Sequence, residues 1–401
     1  MNKYIRLDEC CQIALSSIDK KSKSNEKPIK LCNFTDVYYN WNIYSSMTDE
    51  FMEATASDKN IDTFSLKQGD VVITKDSETR DDIGMAAFVY EDLPNTVLGY
   101  HCALIRPLHS VDGSYLNAFL NSYLGRKHFE NQASGSGQRY TLTKEALGSI
   151  KIPLIPIHQQ KAIGALFSNI EKRIHNGKQT ISEFESLAKT IYDYWFLQFE
   201  FPNEDGKPYK SSGGKMVWSD ELKREIPEGW KAVQLGCFAD LYQPKTITEK
   251  DLNSNGKYFV YGANGIIGKY DKFNHQDKEI AICCRGANCG NYVMTIPNSW
   301  ITGNSMVVST KNKEFIYYSL SKNVIGNYIT GSAQPQITRT NLESAKFLIP
   351  NSEILNEFER VATTLRSEME TIFYQNQELA SLRDFLLPML MNGQVTFKEK
   401  A

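Results

Sequence analysis

A chain of 401 residues with 41% hydrophobic and 11% aromatic residues against 23% charged is too long for one ordinary core and too apolar for a disordered protein; it has room for two or three compact units. Lys plus Arg number 45 against 47 Asp plus Glu, a net charge of −2, so no strongly basic surface signals a nucleic-acid partner, and any phosphate attraction must come from a local face or a partner subunit. Met1-Asn2-Lys3-Tyr4-Ile5-Arg6 has no apolar segment behind it and no run approaches the roughly 18 apolar residues of a membrane span, while Cys10, Cys11, Cys32, Cys102, Cys237, Cys283, Cys284 and Cys289 lack framework spacing, so a cytoplasmic chain without disulfides or membrane contact is expected.

Residues 1–155 read as a first mixed unit. Short β-branched runs, Val71-Val72-Ile73 and Ala86-Ala87-Phe88-Val89, predict strands, and a helix is expected around Tyr115 to Gln132. Residues 156–200 follow the Pro153-Leu154-Ile155-Pro156 punctuation. Apolar residues recur there at Ile163, Phe167, Ile170, Ile174, Ile181, Phe184, Ala188, Ile191 and Trp195 in alternating steps of four and three, interrupted at Gly177. That heptad seam predicts a helix from about His158 to Phe199, roughly 60 Å long at 1.5 Å per residue.

Residues 201–230 hold Pro202-Asn203-Glu204-Asp205-Gly206-Lys207-Pro208 and Ser211-Ser212-Gly213-Gly214-Lys215, turn-rich stretches that read as a linker. Residues 231–349 form a second mixed unit, with strand runs at Phe259-Val260, Glu279-Ile280-Ala281-Ile282 and Met306-Val307-Val308. A second seam in residues 350–396 runs through Ile354, Phe358, Val361, Leu365, Ile372, Leu379, Leu382 and Leu386, with Glu368 and Gln375 as polar register positions; Pro388 and Asn392-Gly393 close it.

The second seam overlays the first at an offset of about 191 residues, 354 minus 163, and Gly135-Ser136-Gly137-Gln138 is echoed by Gly331-Ser332-Ala333-Gln334. One globular unit followed by one long helix therefore occurs twice. A lone amphipathic helix packs on its own domain, but two of matched length and register are simplest as each other's partner. The fold class expected is α/β in the α+β sense: two globular units separated by two long antiparallel coiled-coil helices, with a pseudo-twofold internal repeat.

Catalytic motifs fail on spacing. Five residues separate Gly262 from Gly268 where a phosphate loop needs four, and Tyr270 stands where its Ser or Thr belongs. Gly135-Ser136-Gly137-Gln138-Arg139-Tyr140 has Tyr140 in place of the third dinucleotide-binding Gly. Cys283, Cys284 and Cys289, with His275 nearby, lack the paired knuckles of structural zinc, so the cysteines are expected to be small buried apolar groups and no metal is assigned. No nucleophile elbow or His-Glu-x-x-His pair occurs, so no enzyme is expected.

Polar loops offer more. Lys75, Ser77, Thr79 and Arg80 follow the Val71 strand, and Gln138, Arg139 and Tyr140 follow the Gly-rich turn. Arg285 and Asn288 follow the Ile280 strand, with Asn264, Lys269, Asn304, Gln334, Gln336 and Arg339 in the surrounding loops. Arg reads guanine, Asn or Gln reads adenine, hydroxyls read either, and Lys holds phosphate. Each such side chain is by default only a solvated loop group; recurrence in both halves is what raises them as candidate DNA contacts.

The run from Phe201-Pro202-Asn203-Glu204-Asp205-Gly206-Lys207-Pro208 to Met216-Val217-Trp218, then Ile226-Pro227-Glu228-Gly229-Trp230, resembles the segment joining central helix to second recognition domain in type I restriction-modification specificity subunits. Ile152-Pro153-Leu154 with His158-Gln159-Gln160-Lys161 is similar to that family's entry to the central helix, and Leu386-Leu387-Pro388-Met389-Leu390 to its C-terminal signature. Tyr261-Gly262-Ala263-Asn264-Gly265 and Cys283-Cys284-Arg285-Gly286-Ala287-Asn288-Cys289-Gly290 also resemble one group of second recognition domains. The resemblance implies two target recognition domains reading halves of a split double-stranded DNA site. It also implies two adenine methyltransferase partners and two restriction/translocase partners. S-adenosylmethionine, ATP and Mg²⁺ would belong to those partners and none to this chain. A coiled-coil adaptor that never touches DNA, or a specificity chain for a fused methyltransferase-nuclease, are the alternatives.

Overall fold

Alternation along the apolar strands decides the layering. Val71–Thr74 is buried on both faces; Val71 and Ile73 enter one core with Ala103 and Ile105, while Val72 joins Ala87, Cys102 and Leu104 in another. A strand with two covered faces must read as an unbroken apolar run, which is why this sequence shows no polar alternation. The computed structural model describes residues 3–135, 137–262, 264–320, 322–331 and 333–396, without the side chains of Lys3, Lys322 and Asn323. The chain divides into two compact units, Met1–Lys178 with Tyr374–Ala401 (unit 1) and Gln179–Phe373 (unit 2). Both are α+β, and each takes part of each long helix.

In unit 1 a five-stranded sheet orders Cys11–Leu15, Cys102–Pro107, Val71–Thr74, Ala86–Val89 and Asn42–Ile43. Helices cover one face, and on the other lies a three-stranded sheet in which Lys27–Cys32 pairs antiparallel with Met52–Ala56 and parallel with Thr96–Leu98. Unit 2 repeats the plan. Asp240–Tyr242, Ser305–Ser309, Ile280–Cys283 and Tyr292–Met294 form the main sheet, and Tyr258–Gly262 pairs antiparallel with Gly265–Tyr270 and parallel with Trp300–Ile301. Ile280 and Ile282 face the helical core and Ala281 the small sheet.

At the entry to the long helices the repeat is offset by 195 residues, not 191. Helix Lys144–Gly148 matches Arg339–Glu343 (339 minus 144), and strand Lys151–Leu154 matches Lys346–Ile349 (346 minus 151). Their caps match too: Thr143 Oγ1 accepts from Ala146 N at 3.1 Å and Thr338 Oγ1 from Asn341 N at 3.2 Å.

The long helices are Ile157–Tyr192, continued by a π turn at Asp193–Leu197, and Ser352–Met391. In unit 1, Ile163 and Phe167 share a core with Leu387, Leu390 and Met391, and Glu171 pairs with Arg383. In unit 2, Glu185 pairs with Arg366 at 3.0 Å and Tyr192 packs on Phe358. Rising numbers on one helix meet falling numbers on the other in each unit, so the pair is antiparallel.

The seam of the first helix is buried at Ile163, Phe167, Ile170, Ile174 and Ala188, with Ile181, Phe184, Ile191 and Trp195 half-buried. The π turn then brings Phe196 inward in place of Trp195. In the second seam Phe358 is buried as expected, and the other buried positions lie one residue or more from those expected. Leu355, Phe358, Ala362, Arg366, Met369, Asn376, Leu387 and Leu390 are buried, while Ile354, Val361, Leu365, Ile372, Leu379 and Leu386 flank them half-buried and Leu382 is 45% exposed. Glu368 and Gln375 are exposed, and Arg366 and Asn376 are the buried polar positions instead. A strict 3.5-residue repeat drifts against a 3.6-residue helix, and an inward arginine does not read as apolar.

Three further expectations change. The helix expected over Tyr115 to Gln132 is two, Gly113–Asn121 and Tyr123–Gln132, because extended Ser122 caps the second. Pro388 lies inside the last helix rather than closing it. The stretch read as a linker is folded into unit 2: Met216–Ser219 pairs with Arg224–Pro227, and Phe201 stacks on Tyr209 and Trp230 at 4.5 and 5.1 Å. Among the described residues, no helix is long and apolar enough to cross a membrane.

Candidate nucleic-acid interface

In unit 1 the Val71 strand outruns its sheet. Lys75 N donates to His101 O at 2.9 Å, and the next residues, Asp76–Ser77, pair with Tyr140–Thr141, which pairs with Ser134–Gly135. Leu142 N closes the ladder on Lys75 O at 2.8 Å. Gly137 turns the hairpin at φ 62°, a left-handed conformation that favours glycine. Two loops about sixty residues apart thus become one small platform, bringing together Lys75, Ser77, Arg80, Gln138, Arg139 and Tyr140.

Their surroundings differ. Lys75 is buried, its Nζ 3.5 Å from Asp76 Oδ2 and 4.5 Å from the centre of the Tyr100 ring, so it supports the platform from beneath. Asp76 Oδ2 also lies 2.8 Å from His101 Nδ1 and 3.6 Å from Arg139 Nη2. Burial alone would raise the Asp76 pKa. The His101 and Thr141 hydrogen bonds and the Lys75 and Arg139 charges outweigh it, so this carboxyl stays below the usual range. Arg80 lies over the Tyr140 ring at 5.3 Å, and Thr79, Gln138 and Arg139 are exposed.

Unit 2 builds the same platform from the Ile280 strand. Arg285 bridges Gln336, and Thr330 bridges Gln336 from the other side. Ile337 N closes on Cys284 O at 2.9 Å, as Leu142 closes on Lys75. Arg285 therefore stands where Asp76 stands, and Gln336 where Thr141 does. The turn is one residue shorter, since Thr330 to Gln336 spans six steps and Ser134 to Thr141 seven. Exposed Asn304 joins at the base, its carbonyl accepting from Cys284 N at 3.2 Å, and Gln334 is exposed on the turn.

Asn264 and Asn288 line a cavity of about 650 Å³ with Asn291, Tyr292 and Tyr317. Lys269 belongs to the small sheet, its Nζ 5.3 Å from the Phe259 ring. Arg339 opens a short helix and is paired with Glu343 at 2.7 Å. Cys283 and Cys284 are buried, their thiols against the carbonyls of Arg285 and Ile282. Among the described residues no three His, Cys, Asp or Glu side chains group as a metal site.

A family model described as the type I restriction modification DNA specificity domain matches residues 2–185 and 227–371. The type I restriction enzyme MjaIX specificity subunit of Methanocaldococcus jannaschii is 23% identical over 291 residues, covering 66% of this chain and 65% of that relative's length. The type I restriction enzyme HindI specificity subunit of Haemophilus influenzae is 22% identical over 408 residues, covering 82% and 87%. The crystal structure of a type I restriction-modification S subunit from M. genitalium superposes over 100% of this chain and 96% of that one, with a TM-score of 0.59 at 15% identity, a likeness of fold. With its family match in both units, this chain belongs to the type I restriction-modification DNA specificity family.

Proposed function

We propose that this chain is the non-catalytic, sequence-reading subunit of a type I restriction-modification complex, recognising a two-part site in double-stranded DNA. The observation that carries the reading is one platform built twice, with Asp76, Thr141 and Arg139 in unit 1 and Arg285, Gln336 and Gln334 in unit 2. A common frame with different donors and acceptors is what reading two different half-sites requires. Residues 1–155 and 231–349 serve as the target recognition domains, with 201–230 packed into the core of unit 2 where the central helix joins it. The helices of residues 156–200 and 350–396 set how many base pairs go unread between the halves.

The proposed base contacts are Ser77, Thr79, Arg80, Gln138, Arg139 and Tyr140 in unit 1. In unit 2 they are Asn264, Arg285, Asn288, Asn304, Gln334 and Gln336, with Lys269 and Arg339 on phosphate. The partners are two adenine methyltransferase subunits using S-adenosylmethionine and two restriction/translocase subunits using ATP and Mg²⁺, in the cytoplasm. Flipping of the target adenine needs DNA held in a fixed register, which this subunit supplies. Genome-wide mapping of N6-methyladenine with and without this gene tests the reading. Loss of one two-part motif on deletion supports it; an unchanged map in a host whose partner methyltransferase is active refutes it.

A further inference from the structure

We infer that Asp76 is a positioning residue for base readout: its carboxylate holds the Arg139 guanidinium at the rim of the unit 1 platform, and the half-site read there carries a guanine contacted by Arg139. This rests on the proposed reading of the platforms as base readers.

Asp76 faces Thr141 across the ladder, and Arg139 lies two residues before Thr141, on the same face. Asp76 and Arg139 are thus diagonal neighbours, within reach of a long side chain. The Asp76 side chain is 12% exposed and that of Arg139 60%, so one end of the pair is fixed and the other faces solvent. His101 Nδ1, 2.8 Å from Asp76 Oδ2, donates to the carboxylate in the tautomer that carries its proton there. Arg139 Nη2, 3.0 Å from that nitrogen, is itself a donor, and its electrostatic partner is the carboxylate oxygen 3.6 Å away.

The carboxylate is held in turn. His101 is anchored through its carbonyl to Lys75 N at 2.9 Å, and the Lys75 ammonium reaches Asp76 from 3.5 Å. Arginine reads guanine by two parallel N–H bonds to O6 and N7, which demands a preset guanidinium plane. A side chain already steered by a buried carboxylate loses less freedom when it makes that contact. Lys75, being buried, cannot take the role. In unit 2 the order is exchanged, with arginine at the ladder position of Asp76 and glutamine across from it, so the two units present different chemistry from one frame.

The test uses the assembled complex and measures methylation rates on duplexes randomised at each position of the site. Arg139→Ala is expected to relax one G·C position of one half-site, discrimination there falling on the order of 10- to 100-fold. Asp76→Asn keeps the shape and removes the charge; about a 10-fold loss at that same position, with the other half-site and the melting temperature unchanged, is the expected result. Relaxation by Arg139→Ala without any by Asp76→Asn overturns the positioning role and leaves the platform reading standing. Relaxation at an A·T position overturns the guanine assignment. No change at any position with Arg139→Ala, Gln138→Ala and Arg80→Ala together removes the platform reading for unit 1. Should Asp76→Asn lower the melting temperature, Asp76→Glu, which keeps the charge, is compared with it: discrimination restored by Glu supports the positioning role, and equal relaxation in both overturns it.

Discussion

Arg366 of the C-terminal helix donates through Nε to Glu314 at 3.2 Å inside unit 2, where the two residues are 8% and 1% exposed. Glu185 accepts from the same guanidinium at 3.0 Å, and Lys278 reaches Glu314 from 3.6 Å. Burial would lower the Arg366 pKa, but the two carboxylates hold it above its ordinary value, so the charge persists. Removing one partner of a buried pair costs more than replacing the pair. Glu314→Ala is therefore expected to destabilise the chain by about 3–5 kcal/mol in urea unfolding. Replacing both partners, Glu314→Gln with Arg366→Met, should cost clearly less; equal losses would contradict this ranking.

Glu359 gives a pH dependence. Burial, with Glu314 nearby, raises its pKa to about 7, although Phe315 N donates to it at 2.8 Å. The folded value lies above the unfolded one, so its contribution is complete below about pH 4.5 and lost as pH rises through 7. Glu359→Gln should raise the melting temperature at about pH 8 and leave it little changed at about pH 4, an effect on the order of 2 kcal/mol. A melting temperature equally insensitive to pH in both proteins would count against it.

The corrected seam register separates two leucines five residues apart. Leu382→Glu, at a 45% exposed position, should leave the melting temperature of the isolated chain unchanged. Leu387→Glu, at an 8% exposed position in the unit 1 core, should unfold it by burying an unpaired carboxylate. Ile170→Glu, at 6% exposed, should behave like Leu387→Glu. Circular dichroism melting of the three proteins checks the register.

Gly164 lets the central helix pack closely on the helix beginning at Gly113. A Cβ there would stand 2.6 Å from Tyr115 N, and backbone cannot give way as a side-chain tip does. Gly164→Ala is expected to cost roughly 1–3 kcal/mol despite alanine's better helix propensity. A more stable protein would show that the helices can part without loss.

The strands and both long helices were legible because sandwiched strands must be continuously apolar and helix pairs must repeat. Val71–Thr74 and Ile280–Cys283 show the first, the Ile163 to Ile174 stripe the second. The break at Ser122 had a signal, a capping serine within an apolar stretch, that the longer periodicity hid. The second seam misled because its inward positions include Arg366 and Asn376. In the candidate interface, Arg139 and Arg285 stand out as exposed loop arginines, but nothing local marks Asp76 or His101. Their pairing comes from strands some 25 residues apart meeting at one ladder end, which spacing alone does not encode.

Exchanging residues 231–349 for the matching segment of a relative with a different target, then mapping N6-methyladenine in the host, tests the two-reader account most directly. The account predicts a hybrid motif in which one half changes while the other half and the number of unread base pairs stay as they were. A motif that changes in both halves, or in neither while the complex still methylates, would contradict it.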